Sequence, residues 1–301
     1  MNETILLVGH GSRAVEGNAE VVAFAEYWGK RHPGERIEVC FIEFADVLVD
    51  AGLEKAAQGA ERVLVIPLIL NAAGHVKMEI PEYLDAARHR FPQVEFRYAR
   101  PLGAEELILN LLQQRLQAAM MNMDMPDPMN TGVVLLGRGS SDMGANAEVA
   151  RMARWLYETT DHEWVDYAFT GVTHPRLERI VQRQICLGAK QVVVLPYYLF
   201  TGRLIHRIDH QVKRLQHQYP TTTLVAAVYL GIDDLLCDLV DQRLLEVRSG
   251  EVPGMSCDGC RYRIIAREHL DDHHHADLHE HHDQHEGSTH HPDHMTMVAQ
   301  R

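Results

Sequence analysis

The sequence is short of several things, and each shortage closes off a class of function. No apolar run approaches the length of a membrane span. The opening stretch, Met1 to Val8, has no basic region and no long apolar segment, so it reads as a first strand and not as a signal peptide. Cysteine is scarce and odd in number, five in 301 residues, which does not read as a disulfide framework. Cys40, Cys186 and Cys237 stand singly in apolar or helical surroundings, as small buried side chains do. Positive charge is also in deficit. A formal charge of −13 argues against nucleic acid or an anionic membrane surface as a partner. There is no glycine-rich phosphate loop with a lysine, so no nucleotide is implied. What remains is a protein expected in the cytoplasm, with 46% apolar residues to build real cores.

The negative charge is uneven. From Glu268 onward there are eight acidic residues against one basic residue, Arg301, so that stretch carries −7 and the rest only −6.

Two repeats organise the chain. Val8-Gly9-His10-Gly11-Ser12 returns as Leu136-Gly137-Arg138-Gly139-Ser140, and Asn18-Ala19-Glu20-Val21 returns at the same offset as Asn146-Ala147-Glu148-Val149. Val63-Leu64-Val65-Ile66-Pro67 returns as Val192-Val193-Val194-Leu195-Pro196, and Phe91-Pro92 as Tyr219-Pro220. Within the first repeat, short aliphatic runs near 4–8, 36–43, 62–69 and 94–98 alternate with longer amphipathic stretches near 15–31, 49–59, 77–90 and 104–120. That alternation predicts an α/β protein of two similar domains, each a parallel sheet flanked by helices. The expected divisions are 1–123, 124–249 and a C-terminal segment 250–301, with the proline-bearing joint 122–130 between the repeats. Beyond about Ser249 the apolar pattern stops, and residues 269–294 are mostly His, Asp and Glu, which predicts a disordered tail.

In parallel α/β sheets ligands bind beyond the carboxyl ends of the strands. Three polar residues fall there in the first repeat: His10 after the first strand, Glu43 at the end of the second and His75 after the third. Two imidazoles and a carboxylate suit a borderline divalent ion such as Co²⁺, Ni²⁺, Fe²⁺ or Zn²⁺, and they can also accept protons. Gly-His-Gly-Ser alone would equally serve as a plain strand–turn–helix connection. The glycines Gly9 and Gly11, with Ser12, let backbone N–H groups at a helix start favour an anion. In the second repeat the equivalents are Arg138, Gly171 and Arg203, with one gap at Ala73. If the halves face each other, histidines line one wall and arginines, which fork carboxylates and keep their proton, line the other. The competing reading of Arg138 and Arg203 is drift in a degenerate half.

These motifs, with Pro67-Leu68-Ile69-Leu70-Asn71-Ala72-Ala73-Gly74-His75, resemble the long-form CbiX-type sirohydrochlorin cobaltochelatases, class II chelatases. The resemblance covers about residues 1–265. It implies insertion of Co²⁺ into sirohydrochlorin with release of two protons, in the anaerobic route to cobalamin. It implies catalytic and metal-holding roles for His10 and His75, with Glu43 as a third member. Sirohydrochlorin carries several carboxylates, which gives Gly9, Gly11, Ser12, Arg138, Ser140 and Arg203 substrate-binding work. Long-form members carry a Met-X-Cys-X-X-Cys motif associated with an iron–sulfur centre, matched here by Met255 to Cys260. Cys257 and Cys260 supply only two of the four ligands that a cluster usually needs. The others must come from a second subunit, as in a homodimer, or from elsewhere in the chain; a simple redox pair is the alternative. The eleven histidines between 269 and 294 could hold several divalent ions. Three rivals stand beside this reading: an iron chelatase on the same triad, a metal-storage or delivery protein dominated by the tail, and a histidine phosphotransfer enzyme, which the lack of an Arg-His-Gly order ranks last.

Overall fold

Ile5-Leu6-Leu7-Val8 and Val63-Leu64-Val65-Ile66 are unbroken apolar runs without alternation, a pattern suited to strands covered on both faces. In the computed structural model, which describes residues 2–250 and 254–258, they form the centre of β1 (Glu3–Gly9) and β3 (Arg62–Pro67), and all eight residues are fully buried. These strands pair in parallel with β2 (Arg36–Phe41) and β4 (Glu95–Tyr98) in the order β2-β1-β3-β4. The register sets Val8 beside Cys40 on one side and Pro67 on the other. Helices α1 (Val15–Gly29), α2 (Val49–Ala57), α3 (Ile80–Arg90) and α4 (Glu106–Met121) complete the first repeat.

After residues 122–130 the plan recurs. Strands β5 (Thr131–Gly137), β6 (Trp164–Phe169), β7 (Gln191–Pro196) and β8 (Thr223–Ala226) pair in the order β6-β5-β7-β8, with helices α5 (Met143–Thr159), α6 (Leu177–Leu187), α7 (Arg203–Gln218) and α8 (Asp234–Ser249). Two parallel four-stranded sheets flanked by helices are what the alternation predicts. No helix among the described residues is long and apolar enough to cross a membrane.

The period of two along each strand decides the layers. Ile5, Leu7, Leu64 and Ile66 turn towards α1 and α4, whereas Leu6, Val8, Val63 and Val65 turn towards α2 and α3. In the second sheet, Val133, Leu135, Val193 and Leu195 turn towards α5 and α8, and their neighbours in sequence towards α6 and α7. The facing sides of the two sheets and the four helices between them share one apolar core. Each leucine sealed there contributes about 2 kcal/mol, so this common layer, and not the joint, holds the repeats together. Polar contacts stitch the same seam. The indole of buried Trp28 on α1 donates to Asp241 on α8 at 2.7 Å. Arg243 of α8, with no exposed surface, donates to the carbonyls of Pro101 and Leu102 at 2.9 and 2.7 Å.

The strand order also creates the site. From β1 the chain passes through α1 on the inner face to β2 on one side. From β3 it passes through α3 on the outer face to β4 on the other side. The two connections part at the carboxyl ends of β1 and β3 and leave a crevice there. His10 follows β1 and His75 lies beyond β3; Arg138 and Arg203 occupy the same places in the second sheet.

Candidate functional site

Each loop at the crevice is closed by backbone chemistry that glycine permits. The β1–β2 ladder continues past the strand ends, with Ile42 N–H donating to Gly9 O at 3.0 Å and Glu43 N–H to His10 O at 3.1 Å. Gly11 has φ of +93°, and a β-carbon there would lie 1.7 Å from the Glu43 carbonyl oxygen. Only glycine fits, and the close approach sets His10 and Glu43 side by side. Gly139 repeats the arrangement at φ +85°, where a β-carbon would meet the Gly171 carbonyl oxygen at 2.3 Å. The repeated asparagines fasten these loops. Asn18 accepts from Ser12 N–H at 2.8 Å and donates to the carbonyls of Ser12 and Phe44; Asn146 brackets Ser140 in the same way. The Ser12 and Ser140 hydroxyls accept from backbone N–H groups two residues on, at 3.1 and 3.0 Å.

Ordered pairing in β2 ends at Phe41, so Glu43 sits in the loop just beyond the strand. His75 does not lie in a loop: it begins a π-helical turn, His75–Glu79, that runs into α3. The turn has a cause in chain length. From Pro67 to Pro92 is 25 positions and from Pro196 to Pro220 is 24, so the first repeat holds one residue more. A π turn takes up one residue more than an α turn, and here Ile80 N–H reaches back to His75 O.

The three predicted ligands come together. Their donor atoms all lie within 4.8 Å of one another, and His10 Nδ1 stands 3.5 Å from Glu43 Oε1. His75 Nδ1 lies 2.8 Å from Glu79 Oε1 but out of hydrogen-bond alignment, and it is buried without a hydrogen-bond partner. Burial holds His10 below its ordinary 6.5, and the Arg138 charge lowers it further against the opposing Gly11 carbonyl. His10 is therefore a neutral imidazole at neutral pH, with one nitrogen carrying a lone pair.

These residues line a cleft of about 720 Å³ between the two repeats, within the usual range for small-molecule and cofactor sites. Arg138 and Arg203 line the opposite wall, as does Ser140. Arg138 Nη1 reaches across to His10 Nε2 at 2.9 Å. Sequence reasoning missed Arg13, which also lines the cleft and lies over the Phe44 ring at 4.5 Å. Among the described residues, no carboxylate pairs with Arg13, Arg138 or Arg203. In a protein of net charge −13, three cations around this cleft thus stand without a carboxylate partner among the described residues, which favours an anionic ligand. Asn71 Oδ1 and the Tyr197 hydroxyl, also in its walls, are buried without partners. Phe44 and Val172 occupy equivalent positions and line the cleft with φ of 54° and 62°. Such a backbone is a rare and strained state for a β-branched residue. Cys257 is half-buried; Cys260 and the histidines of 269–294 lie outside the described residues.

Comparison with known proteins follows the same outline. The CbiX family model matches residues 4–119 and again 132–247. A sirohydrochlorin cobaltochelatase of Priestia megaterium is 40% identical over 274 residues, 90% of this chain and 88% of that protein. A sirohydrochlorin ferrochelatase of the same organism is 33% identical, covering 86% of this chain and 95% of its own. The structure of SirB from Bacillus subtilis with Fe³⁺ superposes with a TM-score of 0.72 at 29% identity, over 84% of this chain and all of that one.

Proposed function

The chain belongs to the CbiX family, and on that premise we propose that it is a sirohydrochlorin chelatase whose metal is Co²⁺. The observation that carries this reading is the His10–Glu43–His75 set, with donor atoms within 4.8 Å, in one cleft with three arginines that have no carboxylate partner among the described residues. In this reading the first repeat, residues 1–123, handles the metal and residues 124–249 present the arginines that take most of the substrate's charge.

The chemistry exchanges one Co²⁺ for two pyrrole protons, so charge balances overall. The metal must shed water, and an imidazole–carboxylate set replaces that water as it does so. The protons must be accepted near neutral pH, which suits an imidazole held neutral, as His10 is. Arg138, Arg203 and Arg13 hold the carboxylates of the macrocycle in forked contacts. Gly9, Gly11, Ser12 and Ser140 shape the two loops against which the macrocycle rests. Cys257 and Cys260 would supply two of the four ligands of an iron–sulfur cluster, and no step depends on them.

Cobalt is favoured by the 40% identity to a cobaltochelatase; the iron reading is favoured by the 33% identity to a ferrochelatase. Initial rates of metal insertion into sirohydrochlorin, followed by absorbance with Co²⁺ and Fe²⁺ side by side, separate them. Faster turnover with Co²⁺ is expected. Faster turnover with Fe²⁺ would replace cobalt by iron, and fewer than one turnover with both would leave a storage or delivery protein.

A further inference from the structure

Several arginines elsewhere in this protein find carboxylates: Arg31 donates to Asp234 and Asp238 at 2.6 Å each. Arg138 instead uses Nη1 on an imidazole nitrogen, His10 Nε2, at 2.9 Å. A neutral imidazole has one in-plane lone pair and one N–H, whereas a guanidinium can only donate. The lone pair is therefore on Nε2 and the proton on Nδ1, which lies 3.2 Å from the accepting Gly11 carbonyl. No nitrogen of His10 is left for a metal. Moving the proton to Nε2 would set two N–H groups against each other. A metal can bind His10 through either nitrogen only after Arg138 lets go.

We propose that Arg138 caps His10 in the substrate-free protein, weakening its hold on a metal, and that a carboxylate of the incoming macrocycle removes the cap. The proposal rests on the chelatase reading above. Arg138 is exposed and has no carboxylate partner among the described residues. A carboxylate offers it a bidentate fork and an opposite charge in place of one bond to a neutral ring. The exchange is therefore downhill, and it frees the lone pair that serves metal binding or proton transfer. The cap comes from the opposite repeat, across the cleft that the macrocycle must fill, so substrate reaches the arginine and the histidine together.

The test is Co²⁺ binding to the full chain without tetrapyrrole, by calorimetry and by the visible absorption of the bound ion. Wild type, Arg138→Ala, His10→Ala and the double variant are compared; the histidines of 269–294 contribute alike to all four. Arg138→Ala should bind one equivalent at least about tenfold more tightly than wild type, the factor expected on removing a competing bond of this kind. The gain should vanish in the double variant. Arg138→Met, which keeps the bulk, should show the same gain and so excludes a packing artefact. Equal affinities in wild type and Arg138→Ala, or a gain that survives His10→Ala, would overturn the cap. Turnover measured in parallel keeps the two claims apart. Normal turnover with no affinity change removes the cap alone, while the predicted affinity change without turnover supports the cap and removes the chelatase reading.

Discussion

The imidazole rings of His10 and His75 meet edge to face, their centroids 4.8 Å apart and their planes at 83°. Two rings so placed can share one metal ion or pass a proton within one site, and neither can do the work of both. His10→Ala and His75→Ala should each lower kcat by about a hundredfold or more, with circular dichroism unchanged. Because the residues act as a unit, the double variant should be little worse than either single one. Normal turnover in either variant at saturating metal would remove that residue from the site.

The depressed His10 imposes a pH dependence with a defined sign. Its folded value lies below 6.5, so as pH falls through 6.5 the unfolded chain takes up a proton before the folded one does. Its contribution to stability is complete above 6.5 and declines below that, down to the folded value. The acid limb of kcat/KM, measured at saturating Co²⁺, should likewise fall below 6.5. In Arg138→Ala, with one depressing charge removed, that limb should move up towards 6.5. A limb that stays in place in the variant would mean that the guanidinium does not act on this ring.

The cleft arginines without a carboxylate partner among the described residues should serve binding more than chemistry. Arg203→Ala and Arg13→Ala should each raise KM for the tetrapyrrole by about three- to tenfold with a smaller change in kcat. Rising ionic strength should raise the wild-type KM and narrow the gap, since exposed charges are screened. A lower kcat at unchanged KM would refute the role in carboxylate binding.

Val172, 64% exposed and left-handed, offers a trade between stability and function. Val172→Gly should stabilise the fold by about 1 kcal/mol, the relief of backbone strain exceeding the entropy cost of glycine. The same change removes an apolar contact at the cleft and should raise KM for the macrocycle. A thermal melt beside a KM measurement checks both signs; a destabilised variant with unaltered KM would make Val172 an ordinary loop residue.

Much of this was legible in advance because it rests on pattern. Unbroken apolar runs specified strands covered on both faces, the repeat specified two sheets, and the strand ends specified where His10, Glu43 and His75 would meet. The site's other features depend on quantities that residue types do not carry. Nothing in the type of Val172 announces a positive φ; β-branching argues against it. Arg13 belongs to the cleft only because the β1–α1 loop turns back over Phe44. The grip of Arg138 on His10 joins two points that correspond in sequence, but correspondence gives no distance. The asparagine repeat was visible while its loop-fastening bonds were not. The π turn left a trace, the one-residue gap at Ala73, which reads as slippage in the alignment until its backbone is seen.

That single additional residue has a stereochemical consequence. Within a helix one residue turns a side chain by about 100°, so the turn beginning at His75 and the helix beginning at Arg203 present their side chains out of step, and the repeats cannot act as mirror images. A flat ring lying between unlike walls has two faces that are no longer interchangeable. On the proposed function, metal held by His10, Glu43 and His75 would approach one face only, and a histidine placed at Arg203 would not restore symmetry without the extra residue that aims it. The duplication that built the molecule thus ends in a site with a front and a back.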